Sequence, residues 1–198
     1  SAMFQGYRRA SGRVGTRNLV AIIPTVGCAN HASGLIARQV EGAALVGYNG
    51  GCSETYADID LATQLLAQYG AHPNVASSIV VSLGCETLNA NKLVERIRSL
   101  GGNVELLVIQ QEGGTRKTVE KGVALAREMV AKARQLQREP CPMSALTVGL
   151  ECGGSDATSG LAANPTEGAF SDLLVAQGGT VILAETSELL GAEHIMHE

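Results

Sequence analysis

Residues 78–83, SIVVSL, followed at once by Gly84-Cys85-Glu86, decide how the chain is read. The run is apolar, β-branched and too short for an ordinary helix, so it predicts a buried strand. Residues 89–100 then carry amphipathic helical spacing and close on Gly101-Gly102, the pattern of a glycine C-cap. Strand, short polar turn and helix make one β-α step.

The step repeats outward in both directions. Upstream, residues 18–26 (NLVAIIPTV) read as a buried strand despite Pro24, and a helix is expected over 30–40. Residues 43–48 form a second apolar run ending in Asn49-Gly50-Gly51, and helical spacing continues over 58–69. Downstream, residues 104–110 repeat the strand signal, and 115–137 give the longest helix, with Thr115 or Thr118 as N-cap. Residues 138–144 (REPCPMS) hold two prolines and no periodicity, which marks a linker and a boundary near residue 142. Beyond it a strand over 145–150, a Gly/Ser/Asn-rich loop over 153–166, a helix over 167–177 and a strand over 180–184 resume the alternation.

Alternating strands and helices with short connections require parallel neighbours, whose crossovers put helices on the sheet faces. The expected fold class is α/β: a three-layer, Rossmann-like parallel sheet over residues 3–142, with the start of a second α/β domain over 143–198. All strand C-termini then share one edge, where open parallel sheets bind ligands.

Composition agrees. The chain has 198 residues, 45% of them hydrophobic, with no Trp and two Phe, so the core must be aliphatic. A net charge of −4 argues against a nucleic-acid footprint. The longest apolar run is too short to span a bilayer, and no signal peptide stands at the start, so the cytoplasm is the default location. Five cysteines fit thiols or metal ligands better than a secreted disulfide framework. Ser1-Ala2 before Met3 read as the remnant of an expression tag.

The residues just after each strand carry the chemistry. Cys28 comes after Gly27, Cys52 after Gly50-Gly51, Cys85 after Gly84, and Cys152 stands before Gly153-Gly154. Four cysteines in one structural slot, each beside glycine, are candidate metal or substrate ligands, with packing as small hydrophobes the competing explanation. Cys141 falls in the linker and reads as structural. Glu54, Glu86, Glu112, Asp156 and Glu185 share the same edge, as general bases, cation ligands or solvated loop acids. Arg13, Arg17 and Asn18, in a glycine-punctuated segment, suit carboxylate recognition or a surface salt bridge. Glu112-Gly113-Gly114-Thr115 looks like an anion-cradling turn at a helix start. The four histidines form no ligand spacing, and only His194 is kept as an acid or base candidate.

Several motifs together resemble the galactarate/altronate dehydratase family. They are Phe4-Gln5-Gly6-Tyr7-Arg8-Arg9, Gly12 to Asn18 (GRVGTRN), Leu83-Gly84-Cys85-Glu86, Gly113-Gly114-Thr115, Cys152-Gly153-Gly154-Ser155-Asp156 with Ser159-Gly160 and Asn164-Pro165, and Glu185-Thr186 with Gly191-Ala192-Glu193-His194. The resemblance runs over essentially the whole chain, and the segment over 152–165 is its most specific part. It implies elimination of water, or in a sulfo-lyase of sulfite, from a 2-hydroxy acid with the help of a divalent metal, typically Fe(II). The resemblance leaves open which residue fills each role; the candidates are Glu86, Asp156 and His194 as catalytic groups, Arg13, Arg17, Asn18, Thr115, Ser155, Ser159 and Asn164 around the substrate, and Cys28, Cys52, Cys85 and Cys152 on the metal. The expected partners are a small sugar acid, a small N-terminal-type domain or subunit, and further copies of the chain.

Three departures from the family pattern stand out. Residues 47–52 (GYNGGC) lack the usual histidine, Ser187 stands where a proline is usual, and the chain reads as a fragment or as the core of a split enzyme. A sulfo-lyase large subunit is the second reading, and a non-catalytic binding or assembly module the third.

Overall fold

A computed structural model describes residues 2–196. It divides into two compact units, one over Gly6–Glu139 and the other from Pro140 onward together with the residues before Gly6. In chain order the elements are β1 (Met3–Arg8), β2 (Val14–Gly15), β3 (Leu19–Pro24), α1 (Asn30–Arg38), β4 (Ala43–Leu45), α2 (Tyr56–Gly70), β5 (Val75–Ser82), α3 (Ala90–Ser99), β6 (Val104–Val108) and α4 (Thr115–Ala133). After these come β7 (Glu139–Pro142), β8 (Thr147–Leu150), α5 (Asn164–Ala176), β9 (Thr180–Leu183) and α6 (Glu193–Met196).

The main sheet has the order β4-β3-β5-β6 and every pairing in it is parallel. Side chains alternate across a strand, so β3 sends Val20 and Ile22 to one face and Ala21 and Ile23 to the other. The first pair meets Ile36 of α1 and Val123 and Met129 of α4 in one core. The second meets Leu66 of α2 and Leu93 and Ile97 of α3 in another. Helices on both faces of a parallel sheet give the three layers that the sequence pattern implied. Each fully buried Ile or Leu contributes roughly 1.5–3 kcal/mol.

Local chemistry sets the helix ends. The Asn89 side chain accepts the Lys92 amide at 3.0 Å and opens α3. At its far end Gly101, with φ +84°, lets the Gly101 amide reach Arg98 O and the Gly102 amide reach Ile97 O, both at 2.9 Å, which is a Schellman closure.

Several boundaries differ from those expected of the sequence. β5 starts at Val75, because Ser77 and Ser78 are small enough to be buried within the strand. β4 covers three residues of the predicted six, as suits a short edge strand. Neither Thr115 nor Thr118 caps α4; Gly114 takes that place, and the Thr118 hydroxyl turns back to Gly114 O at 2.9 Å. Within the proposed linker, Glu139–Pro142 is strand β7, in a small sheet of order β2-β1-β7. Arg8 and Glu139 form an ion pair beside it. The loop expected over 153–166 contains a π-helical turn, Ser159–Ala163, that runs into α5 with Pro165 in its first turn.

In the second unit β8 and β9 pair in parallel, Val148 opposite Val181 and Leu150 opposite Leu183. Among the described residues no helix is long and apolar enough to cross a membrane.

Candidate functional site

The C-terminal edge of the main sheet brings together the loops after β4, β3 and β5, three adjacent strands. Cys52, Cys28 and Cys85 stand on these loops in that spatial order, and all three are exposed. Backbone hydrogen bonds stitch the loops to one another. The Gly27 amide donates to Gly50 O at 3.1 Å, and the Thr87 and Leu88 amides donate to Gly51 O at 2.9 and 3.1 Å. A side chain at Gly51 has no room, since its Cβ would lie 2.1 Å from Thr25 O, and φ there is +95°. Ser53, next to Cys52, also holds a left-handed φ of 58°.

Two carboxylates brace this rim. Glu86 accepts the Ser82 hydroxyl at 2.6 Å, the Leu83 amide at 3.2 Å, the Gly84 amide at 2.7 Å and the Thr25 hydroxyl. Burial alone would raise its pKa, but the Ser82 and Thr25 hydroxyls and the backbone donors outweigh that and hold it below the ordinary glutamate value. Glu86 is thus an ionised clasp between β3 and the turn after β5, with its oxygens turned into that turn. Glu54 accepts the Gly51 amide at 2.6 Å and the Tyr48 hydroxyl at 2.9 Å. Burial first, and then the Glu54 carboxylate, push the Tyr48 phenol up to about 12. Asn30 completes the bracing by donating to Tyr48 O at 2.6 Å.

Thr115 lies on the same edge, exposed at the start of α4 after the outer strand β6. Arg13, Arg17 and Asn18 do not. They precede β3 and so stand at the opposite edge of the sheet, a strand length of roughly 20 Å away. There Asn74 Oδ1 accepts the Thr16 and Arg17 amides at 2.7 and 3.1 Å, and Asn18 donates to Ala133 O at the end of α4 at 2.6 Å. Arg9, to which the sequence pattern assigns no role, binds Pro73 O, Asn18 Oδ1 and Arg17 O. The expected pocket shared by these arginines and the thiols does not form within this unit, because the segment is used to tie down the sheet's N-terminal edge.

The second unit carries a cleft of about 390 Å³ at the C-terminal ends of β8 and β9. Cys152, Ser155, Ser159, Asn164, Glu167 and Glu185 line it. The Cys152 amide donates to Glu185 Oε2 at 3.2 Å, and the Cys152 and Ser155 side chains lie 3.8 Å apart. Glu185 has φ 60°, a strained conformation for a non-glycine residue, two residues past the end of β9. Asp156 is engaged locally: its Oδ1 accepts the Thr158 hydroxyl at 2.5 Å and the Thr158 amide at 2.7 Å, which hold its pKa down. His194 sits exposed on α6 and is not among the residues lining the cleft. His197 lies outside the described residues. Glu167, absent from the candidates that the sequence suggests, reaches the cleft because α5 begins at Asn164 and puts it in the first turn.

A single divalent ion needs several donors at one centre. Among the described residues no group of three or more His, Cys, Asp or Glu side chains gathers to hold one. The four exposed cysteines divide between the rim and the cleft, three and one. Among the described residues, the donors of neither unit gather to fit a single Fe(II).

The second-domain model of the D-galactarate dehydratase/altronate hydrolase family matches residues 6–134, and the C-terminal model of D-galactarate/altronate dehydratase matches residues 143–198. The chain belongs to the galactarate/altronate dehydratase family. It is 42% identical to the (2R)-sulfolactate sulfo-lyase subunit beta of Chromohalobacter salexigens, a match covering 98% of this chain and 49% of that protein. It is 36% identical to the altronate dehydratase of Bacillus subtilis, over 98% of this chain and 40% of the relative. With the L-threo-forming galactarate dehydratase of Escherichia coli it shares 34% identity, over 98% and 41%. The chain thus spans about half the length, or less, of these dehydratase-family relatives.

Proposed function

We propose that the chain is part of a hydro-lyase that removes water from a sugar acid of the galactarate or altronate type, and that the cleft at the ends of β8 and β9 holds this substrate. The supporting observation is the cleft's lining: hydroxyl and amide groups of Ser155, Ser159 and Asn164 suit a polyhydroxylated chain, and three glutamates, Glu151, Glu167 and Glu185, line the same space. In the elimination a base takes the C2 proton, its electron pair forms the C2–C3 double bond, and the C3 hydroxyl leaves with a proton as water. The enol then tautomerises to a 2-keto-3-deoxy acid. Glu86 is held by four local donors and Asp156 Oδ1 by the Thr158 hydroxyl and amide, so the acid–base work falls to the glutamates that line the cleft, Glu167 and Glu185 foremost with Glu151 beside them. Exposed thiols at Cys28, Cys52 and Cys85 suit a reducing compartment, and the cytoplasm is the site of action in this reading.

A sulfo-lyase subunit is the second reading, favoured by the 42% identity to a subunit beta. There the carbon–sulfur bond breaks and sulfite leaves in place of water. Incubation with galactarate, altronate and (2R)-sulfolactate, with and without a small companion chain, separates the two. A 2-keto-3-deoxy acid from either sugar acid supports the hydro-lyase; sulfite from sulfolactate alone supports the second reading; no turnover of any of them removes both.

A further inference from the structure

β4 is an edge strand of the main sheet, and among the described residues no strand pairs with its far side. On its near side Gly42 O accepts the Val20 amide, the Val46 amide donates to Ile22 O, and Asn30 bonds both the amide and the carbonyl of Tyr48. Successive residues of a strand turn their backbone groups to opposite sides, so Ala43, Leu45 and Gly47 point their carbonyls outward. Leu45 and Gly47 are exposed, and residues 43–48 hold neither the lysine nor the proline that commonly guards such an edge.

Beside this open edge lies a groove of about 590 Å³. The sheet side supplies Val46 and Tyr48, while Leu61, Leu65 and Tyr69 of α2, one turn apart and each more than half exposed, supply the other side. Contiguous apolar surface of this kind marks a binding face. Glu54 and Asp58 also line the groove, near the start of α2. Neither forms an ion pair among the described residues; they accept the Tyr48 and Thr55 hydroxyls instead.

We propose that this edge takes a strand from another polypeptide, one with apolar side chains at every second position and a lysine or arginine at the end beside Glu54 and Asp58. Each part of that description has its own source. The outward backbone groups supply the main-chain hydrogen bonds of strand addition. The period of two puts alternate side chains on the α2 face, where the groove is apolar. The two carboxylates without a cation set where the positive charge lies. A second copy of β4 would meet the first two demands but not the third, since residues 43–48 carry no cation. The site is independent of the substrate cleft, and either assignment can fail without the other.

The test uses the full chain and two short synthetic peptides of alternating valine and threonine, with arginine at the amino end of one and at the carboxyl end of the other. Binding is read by fluorescence anisotropy and by amide hydrogen exchange. One peptide should bind saturably and slow exchange at the Leu45 and Gly47 amides. Leu65→Ser should weaken it about tenfold and Asp58→Asn about threefold or more, at exposed positions where circular dichroism should show an unchanged fold. No binding of either peptide, equal binding when glutamate replaces the arginine, or unchanged exchange at Leu45 and Gly47 would overturn the proposal. A dimer in sedimentation that Leu65→Ser abolishes would also overturn it, by giving the face to a second copy.

Discussion

The Thr87 amide donates to the Gly51 carbonyl at 2.9 Å, which ties the loop after β5 to the loop after β4 across the end of β3. Gly51 is therefore the junction of the rim. It receives both Thr87 and Leu88, gives its own amide to Glu54, and lies against Thr25 O.

Substitution at that junction should be costly. Gly51→Ala adds a Cβ that would lie 2.1 Å from a backbone oxygen, on top of a positive φ. A loss of about 2–4 kcal/mol in unfolding free energy is expected, from backbone strain plus overpacking. Gly114→Ala, at φ +101° with nothing within 4 Å, should lose only about 1–2 kcal/mol. Equal urea midpoints for the two variants would refute the close approach.

Glu86 should stabilise the fold as an anion. Glu86→Gln should cost about 1–2 kcal/mol near neutral pH, as donors to a charged acceptor are weakened. Because the folded-state pKa is depressed, this contribution is fully present above the unfolded value near 4.5 and is lost as pH falls through the lower folded value. The difference between wild type and variant should therefore be flat from neutral pH down to about 5 and shrink in more acidic solution. A difference that grows on acidification would mean that Glu86 is held protonated.

Tyr48 offers a spectroscopic check on the second clasp. Its phenol should titrate at about 12 in ultraviolet absorbance, and Tyr48→Phe identifies the transition. Glu54→Gln should lower it without restoring the ordinary value, since burial is the larger cause. The neutral phenol favours the folded state, a contribution whole below pH 10 and lost as pH rises through about 12. An unchanged titration in Glu54→Gln would separate the two side chains.

In the cleft, Glu167→Gln should lower kcat by about 10²-fold or more and remove one limb of the pH–rate profile, as expected for a general base or acid. Asp156→Asn should act on the turn instead, leaving both limbs in place, because its carboxylate serves Thr158. The reverse pattern would exchange their roles.

The layered α/β architecture was legible because strand and helix periods alternate along the chain and glycines punctuate them. The slot of Cys28, Cys52 and Cys85 was legible for the same reason. The role of Glu86 was not, since four donors from Thr25, Ser82, Leu83 and Gly84 converge on it only once β3 and β5 lie side by side. The separation of Arg13 and Arg17 from the rim has a simple cause: they precede β3 while Cys28, Cys52 and Cys85 come after their strands, and parallel strands send these to opposite edges of the sheet. Glu139–Pro142 escaped notice because a proline-rich strand in a small sheet has no hydrophobic alternation.

The most direct test of the dehydratase reading uses galactarate or altronate carrying deuterium at C2, assayed with the protein and any companion chain it requires. The expected outcome is a 2-keto-3-deoxy acid product, deuterium released to solvent and a primary isotope effect that Glu167→Gln or Glu185→Gln alters. Product that keeps its C2 deuterium, or no elimination from either sugar acid, would contradict it.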